Sequence, residues 1–166
     1  MHSTIKIMEK TEPRWDETWA TWDKPAWPAS TNLRIDWFLK AFQELKASAA
    51  VCEPVIVEVG TGSGWVARES YHVFEGRPYI CADISSLALE RIRNMELPAV
   101  TTCLMDELEA LGKVADLLVC GDVLEHVEDR PKFFAQIRSV MKEGGIVPEH
   151  AQQVPSQCVR RSTART

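Results

Sequence analysis

The hydrophobic pattern of the chain is most regular between residues 55 and 147, where short apolar runs alternate with segments of helical spacing. Runs rich in β-branched residues are typical of buried strands, and the segments between them have apolar positions every three or four residues. This alternation predicts an α/β fold, a doubly wound and mostly parallel sheet with helices on both faces. The predicted strands cover residues 55–59, 79–83, 100–105 and 115–120, and a fifth begins at 146–147.

The helices between these strands have recognisable ends. Ser85 or Ser86 can cap the helix after the second strand, and Asp129 can cap the helix after the fourth, since short polar side chains accept hydrogen bonds from the first free N–H groups. That last helix is predicted to include Met141 on its buried face. The glycine pair at 144–145 is expected to end it.

The amino-terminal region has a different character. Trp15, Trp19 and Trp22 have the spacing of one helical stripe, and Thr31 or Asn32 could cap a second helix with its own apolar stripe. Two interpretations stay open for the tryptophans: they cover a face of the sheet, or they form a lid or pocket wall over a ligand. The chain thus divides into a Trp-rich helical or lid segment (1–50), an α/β domain (51–147) and an atypical, disordered tail (148–166).

Composition narrows the class of protein. The 166 residues are enough for one domain with a substantial core, and the net charge of -5 argues against specific nucleic-acid binding or an anionic membrane surface. No apolar run has the length of a membrane span, so a cytoplasmic location is expected. The five cysteines lack C-x-x-C spacing, which indicates small buried residues and no metal site.

The most informative stretch joins the first strand to the next helix. Glu58 precedes three alternate glycines, Gly60, Gly62 and Gly64, and helical sequence resumes at Trp65. A glycine-rich turn between a strand and a helix brings backbone N–H groups and a positive helix end close to a ligand. An ordinary strand–helix turn is the alternative.

Acidic residues stand at the ends of the other strands. Asp83 ends the second strand, Asp106 follows the third and Asp122 follows the fourth. The carboxyl ends of parallel strands form the ligand crevice of such sheets, and an Asp about 20 residues past the glycines suits ribose hydroxyls. Helix capping is the other explanation for an isolated strand-end acid. The succession of acids favours a nucleoside ligand.

The identity of that ligand depends on the acid before the glycines. The register Gly62-x-Gly64-x-x-Ala67 matches a dinucleotide fingerprint, which leaves a nicotinamide-dependent oxidoreductase as one alternative. Glu58, however, would repel a pyrophosphate at this turn. A cationic ligand without phosphate, such as S-adenosylmethionine (SAM), fits better.

Five segments together resemble a known family. VIVEVGTGSG, ICADIS, LMDEL, DLLVCGDVLEHVED and MKEGG look like the successive motifs of class I, Rossmann-like SAM-dependent methyltransferases. The last segments are similar to the small-molecule branch that includes the quinone-biosynthesis methyltransferases. The resemblance extends from about Val55 to Val147, and it implies a methyltransferase that uses SAM and a small-molecule acceptor.

The resemblance also implies roles by position. The glycine turn with its acid would hold the methionine end of SAM, Asp83 the ribose hydroxyls and Asp106 the adenine amino group, with Met105 beside the ring. Gly121 would lie near the reacting methyl, and Ile84 either packs on the adenine or belongs to the core. The cofactor-binding residues implied are Glu58, Gly60, Gly62, Gly64, Asp83, Ile84, Met105, Asp106 and Gly121.

His126 is the histidine nearest the expected crevice. It could act as a general base near neutral pH, or it could only shape its loop. The family has seven strands, whereas the apolar pattern here stops at Pro148. A fifth strand left as an exposed edge favours self-association. A truncated form that binds cofactor or a partner without catalysis is therefore the alternative to an active methyltransferase.

Overall fold

The computed structural model describes residues 12–21, 29–47, 53–74 and 76–147. The predictions for the tail at 148–166 and for Trp22 lie outside these residues. The described helices are α1 (Glu12–Thr21), α2 (Ala29–Ala47), α3 (Trp65–Ser70), α4 (Ser86–Arg93) and α5 (Arg130–Val140). The strands are β1 (Ile56–Val59), β2 (Tyr79–Asp83), β3 (Val100–Leu104), β4 (Ala115–Cys120) and β5 (Met141–Ile146).

The five strands form one sheet in the order β3-β2-β1-β4-β5, and every neighbouring pair is parallel. The predicted α/β fold class is confirmed. β1 lies at the centre, so the glycine turn that follows it emerges between the ends of β2 and β4. Since the strand order reverses around β1, this is the position where ligands bind in sheets of this kind.

Helices cover both faces of the sheet. On one face, Phe38 and Phe42 of α2 pack with Ile56, Tyr79 and apolar residues of α4. On the other face, α5 packs on the alternate side chains of β1 and β4. Successive residues of a strand point to opposite faces, and helices on both faces leave all four residues of Ile56–Val59 buried. Buried area of this kind stabilises the fold by roughly 25 cal/mol per Å² of apolar surface.

Both helix-cap predictions agree with the structure. The Ser85 hydroxyl accepts a hydrogen bond from the Ala88 N–H at 3.1 Å, and Asp129 Oδ1 accepts one from the Lys132 N–H at 3.0 Å. Pro131 occupies the first turn of α5, where its missing N–H costs nothing. The predicted start of the second helix at Thr31 or Asn32 is wrong, because α2 begins at Ala29.

The predicted boundary between the last helix and the last strand is also wrong. α5 ends at Val140, and β5 already begins at Met141, so 144–145 lies inside the strand instead of ending the helix. β5 pairs with β4 at Ala115↔Met141 and Leu117↔Ile146, with a register irregularity between them. A glycine in a strand often marks such an irregularity. Gly144 has a left-handed φ of 83°, which a residue with a side chain rarely adopts.

Cys81, Cys103 and Cys120 are buried within strands, as their apolar surroundings in the sequence indicate. Across the described ranges, no helix combines the length and apolar character that a membrane span requires.

Candidate functional site

A cavity of about 300 Å³ lies at the carboxyl ends of the strands. The residues just after β1, β2, β3 and β4 form its floor, α5 forms one wall and α1 forms the opposite side. The lining is mostly apolar with a few polar groups, as is usual for small-molecule sites. The lining residues are Trp15, Trp19, Val59, Gly60, Asp83, Ile84, Met105, Asp122, Val123, His126, Val127, Glu128, Asp129, Lys132, Phe133 and Gln136.

The glycine turn is tightly enclosed. A Cβ on Gly60 would collide with the Val123 side chain, and a Cβ on Gly62 would lie 2.7 Å from the Trp19 ring. Both glycines also have left-handed φ angles, 71° and 52°. Only glycine satisfies these two requirements together, because a side chain would be strained by its backbone and blocked by its neighbours. The turn therefore leaves bare backbone facing the cavity.

Asp83 connects the end of β2 to this turn. Its Oδ2 accepts a hydrogen bond from the Gly62 N–H at 2.8 Å, and its Oδ1 accepts one from the Ser85 N–H at 2.9 Å. Burial raises the pKa of Asp83 above its ordinary value, whereas these backbone N–H groups act in the opposite direction. A buried carboxylate held by two N–H groups at a cavity floor is well placed to accept further hydrogen bonds from a ligand.

Glu58 does not line the cavity, and its side chain points toward Tyr79. Its Oε2 accepts a hydrogen bond from the Tyr79 hydroxyl at 2.8 Å, and its side chain is buried. Desolvation raises the pKa of Glu58 to about 7, so the carboxyl is largely neutral in mildly acidic solution. Because side chains alternate along β1, Val59 faces the cavity and Glu58 faces α2.

Helix α1 covers the open side of the cavity. The rings of Trp15 and Trp19 stack with centroids 6.4 Å apart, and Trp15 meets the ring of His126 edge-on at 4.9 Å. Asp16, between them, accepts hydrogen bonds from the start of α4. The Trp-rich segment thus provides a wall of the pocket, which is one of the two interpretations that its sequence left open.

Helix α5 contributes the opposite wall. Gln136 is buried, and its Nε2 donates a hydrogen bond to the Met105 carbonyl at 3.1 Å. Phe133 is also buried and lines the cavity one turn earlier. Gln136 therefore fixes the segment after β3, where an adenine base is expected.

Asp122 has an unusual backbone. It follows Gly121 after β4, lines the cavity and has a φ of 52° although it is not glycine. A left-handed non-glycine residue costs free energy and is concentrated at functional sites. Asp122, the acid that follows the fourth strand in the sequence, therefore lines the cavity.

Five of the ten predicted site residues line the cavity: Gly60, Asp83, Ile84, Met105 and His126. Gly62 contacts it indirectly, through its N–H on Asp83 and its packing on Trp19. Direct ligand contact stays a prediction for all ten residues. The remaining four do not line the cavity. They are Glu58, which is buried beside Tyr79, Gly64, which packs on Ile92, exposed Asp106, and Gly121 beside Asp122.

Sequence reasoning did not assign Lys132, Phe133 and Gln136 to the site. The sequence pattern predicts that these residues lie on a helix. Which turn of α5 lines the cavity depends on how the helix packs on the sheet, and the local pattern does not contain that information.

Comparison with protein families identifies the class. The model of the methyltransferase domain family matches residues 57–147, more than half of the chain. The chain belongs to this family, which confirms the resemblance of its motifs. Comparison with curated proteins finds no significant sequence match.

Solved structures with the same fold are distant in sequence. The DhpI–SAM–HEP complex is 16% identical, with a TM-score of 0.59, over 88% of this chain and 66% of that one. The CurJ carbon methyltransferase is 16% identical, with a TM-score of 0.55, over 67% of this chain and 33% of that one. The chain spans between about a third and two thirds of the length of these two structures. At such identities they support the Rossmann-like fold.

Proposed function

We propose that this chain is a SAM-dependent methyltransferase that transfers a methyl group to a small-molecule acceptor. The observation that carries the proposal is Asp83, a buried carboxylate at the floor of the cavity, beside the glycine turn of a methyltransferase-family domain. One of the neighbouring structures is itself a complex with SAM.

The cavity fits the chemical parts of SAM. Gly60 lines the cavity with bare backbone, and the methionine end would lie against it. Asp83 would accept hydrogen bonds from the ribose hydroxyls, and Ile84 and Met105 would pack against the adenine. Asp106, next to Met105, would accept a hydrogen bond from the adenine amino group. Lys132 is the one lysine or arginine among the lining residues, and it belongs to α5, outside the glycine turn.

When bound, SAM supplies an electrophilic methyl group on its sulfonium sulfur. The chain's contribution is to align the acceptor and to exclude water, which for a bimolecular displacement lowers the barrier by about 7–11 kcal/mol at best. The acceptor would lie beside the contacting rings of Trp15 and His126, since both line the cavity. His126 would take the proton that the acceptor atom loses as its bond to carbon forms.

The cofactor part of the proposal is tested with the wild-type protein and S-adenosylhomocysteine in titration calorimetry. We expect measurable binding, competition by adenosine, and much weaker competition by 2′,3′-dideoxyadenosine, because Asp83 would have no hydroxyls to accept from. Asp83→Ala should bind about tenfold to a hundredfold more weakly, the effect of losing hydrogen bonds to a charged group. Asp36→Ala, which removes an exposed acid of α2, is the matched control.

The acceptor part is tested with methyl-labelled SAM and a metabolite extract. Label is expected in acid-soluble products that chromatography separates from SAM, and the rate of their formation should fall in His126→Ala. Label only in precipitated macromolecules would contradict a small-molecule acceptor. Cofactor binding with no transfer to any fraction would favour the non-catalytic alternative.

A further inference from the structure

Asp16 of α1 contacts the start of α4 from across the cavity mouth. Its Oδ1 accepts hydrogen bonds from the Ser85 hydroxyl and, at 3.3 Å, from the Leu87 N–H. Ser85 is the cap residue of α4 and also accepts from the Ala88 N–H. Asp16 thus completes the cap from a separate helix, where its negative charge meets the positive end of α4.

Ser85 carries this contact to the ligand site. Its hydroxyl donates to Asp16, and its backbone N–H donates to Asp83 Oδ1 at 2.9 Å. The second oxygen of Asp83 accepts from the Gly62 N–H at 2.8 Å. A continuous series of hydrogen bonds therefore joins α1 to the glycine turn through Ser85 and Asp83, which are both buried.

Helix α1 meets the other end of this series as well. The Trp19 ring packs on Gly62 so closely that a Cβ there would lie 2.7 Å from it. Asp16 and Trp19 are three residues apart and therefore lie on neighbouring positions of one helix face. α1 is fixed at Ser85 by a hydrogen bond and at Gly62 by packing, with Asp83 between these two points.

We propose that Asp16 is a positioning residue of the ligand site: by holding the Ser85 hydroxyl, it orients the Ser85 N–H and, through it, the Asp83 carboxylate toward the ribose of the ligand. This inference rests on the proposed function, because it takes the ribose of SAM as the partner of Asp83. The same contact fixes α1, whose Trp15 packs on His126 4.9 Å away. Asp16 therefore couples the cofactor end of the cavity to the acceptor end.

The position of Asp16 has an electrostatic cost that the hydrogen bonds offset. Desolvation is the main cause of the raised pKa of Asp83, and the negative charge of Asp16 raises it further. Both effects disfavour the ionised form of Asp83. The repulsion between Asp16 and Asp83 has to be offset by favourable contacts of Asp16. The hydrogen bonds that Asp16 accepts from Ser85 and Leu87 at the start of α4 are these contacts.

The test measures binding of S-adenosylhomocysteine and of adenosine by titration calorimetry. Asp16→Ala should weaken both ligands by a similar factor of about ten, because the lost orientation lies at the ribose that both share. Asp16→Asn keeps an oxygen that can accept from Ser85 and should stay within about threefold of wild type. Glu17→Ala, which removes the adjacent exposed acid of the same helix, should bind as wild type.

A double-mutant cycle shows whether Asp16 acts through Ser85. If it does, Asp16→Ala/Ser85→Ala binds no more weakly than the weaker single variant, because both changes interrupt the same series. Multiplied losses, or a loss confined to S-adenosylhomocysteine, would overturn the inference, as would wild-type affinity in Asp16→Ala. Circular dichroism checks folding. If Asp16→Ala unfolds, Ser85→Ala, which removes the hydroxyl that Asp16 holds, is the test, and wild-type affinity of that variant would overturn the inference.

The proposed function and the role of Asp16 can be contradicted separately. If the wild-type protein binds neither ligand, the proposed function falls and this inference falls with it. If the wild type binds and Asp16→Ala binds equally well, only the role of Asp16 is lost.

Discussion

Glu58 is a carboxylic acid inside the sheet, and its protonation affects stability. Its pKa is raised by desolvation from 4.5 to about 7 in the folded protein. The folded state therefore binds more protons than the unfolded state between these pH values. Stability from this residue is greatest below about pH 4.5 and falls as pH rises to 7, by on the order of 3 kcal/mol for a shift of this size.

Glu58→Gln should remove this pH dependence, because the amide oxygen still accepts from the Tyr79 hydroxyl and carries no charge. We expect similar stability of the two proteins at pH 5 and a more stable variant at pH 8, measured by urea unfolding at each pH. A difference between the proteins that does not change with pH would contradict a raised pKa. Glu90→Gln, an exposed acid of α4, is the control.

Gly62→Ala tests the close approach of the glycine turn to α1. The added Cβ would meet the Trp19 ring at 2.7 Å on a backbone with φ of 52°. We expect the strained backbone alone to reduce stability by about 1–3 kcal/mol, the clash with Trp19 to reduce it further, and S-adenosylhomocysteine to bind more weakly. Gly76→Ala has a similar left-handed φ of 68° with open space around its Cβ, so it isolates the backbone term in parallel thermal unfolding.

At the scale of elements, the first turn of α5 depends on one side chain. Asp129 Oδ1 accepts a hydrogen bond from the Lys132 N–H at 3.0 Å and is the N-cap of this helix. Asp129→Ala should reduce stability by about 1 kcal/mol, the usual effect of losing an N-cap, and lower Tm by about 2–4 °C. Glu128→Ala removes the same charge beside the cap and should leave Tm nearly unchanged.

The sequence predicted the first four strands to within about a residue, because β-branched runs bounded by turns have few alternative structures. The boundary between α5 and β5 was predicted wrongly, because the apolar spacing of the helix continues into the start of the strand. Val140 and Met141 continue the apolar spacing of α5, and the following glycines resemble a helix end. The strand assignment of Met141 depends on its pairing with Ala115, a long-range contact that no local pattern records. The start of α2 was missed for a related reason, since tertiary packing extends a helix beyond its best cap.

At the scale of the whole molecule, ligand binding and folding are linked. A ligand that binds only the folded state at a hundred times its Kd stabilises it by about 2.7 kcal/mol. Saturating S-adenosylhomocysteine should therefore raise Tm by roughly 5–10 °C in thermal unfolding. NADH at the same concentration should not. A shift with NADH alone would support the dinucleotide reading of the glycine turn.

Only some residues of the candidate site could be predicted from the sequence. Asp83, Gly60 and Met105 follow strands, and parallel topology brings strand ends together, so their convergence on the cavity could be anticipated. The positions of Trp15 and Gln136 could not, because they depend on how α1 and α5 dock on the sheet. An apolar stripe predicts which side of a helix is buried, but it does not predict which part of the protein that side packs against.

Tyr79 gives the sheet an internal optical reporter. Burial and the neighbouring Glu58 raise the pKa of this phenol well above its ordinary value, and the chain has only two tyrosines. The folded sheet therefore disfavours ionisation of this phenol in alkali. The ultraviolet absorbance of phenolate, followed against pH, would record the opening of the sheet centre without any attached label.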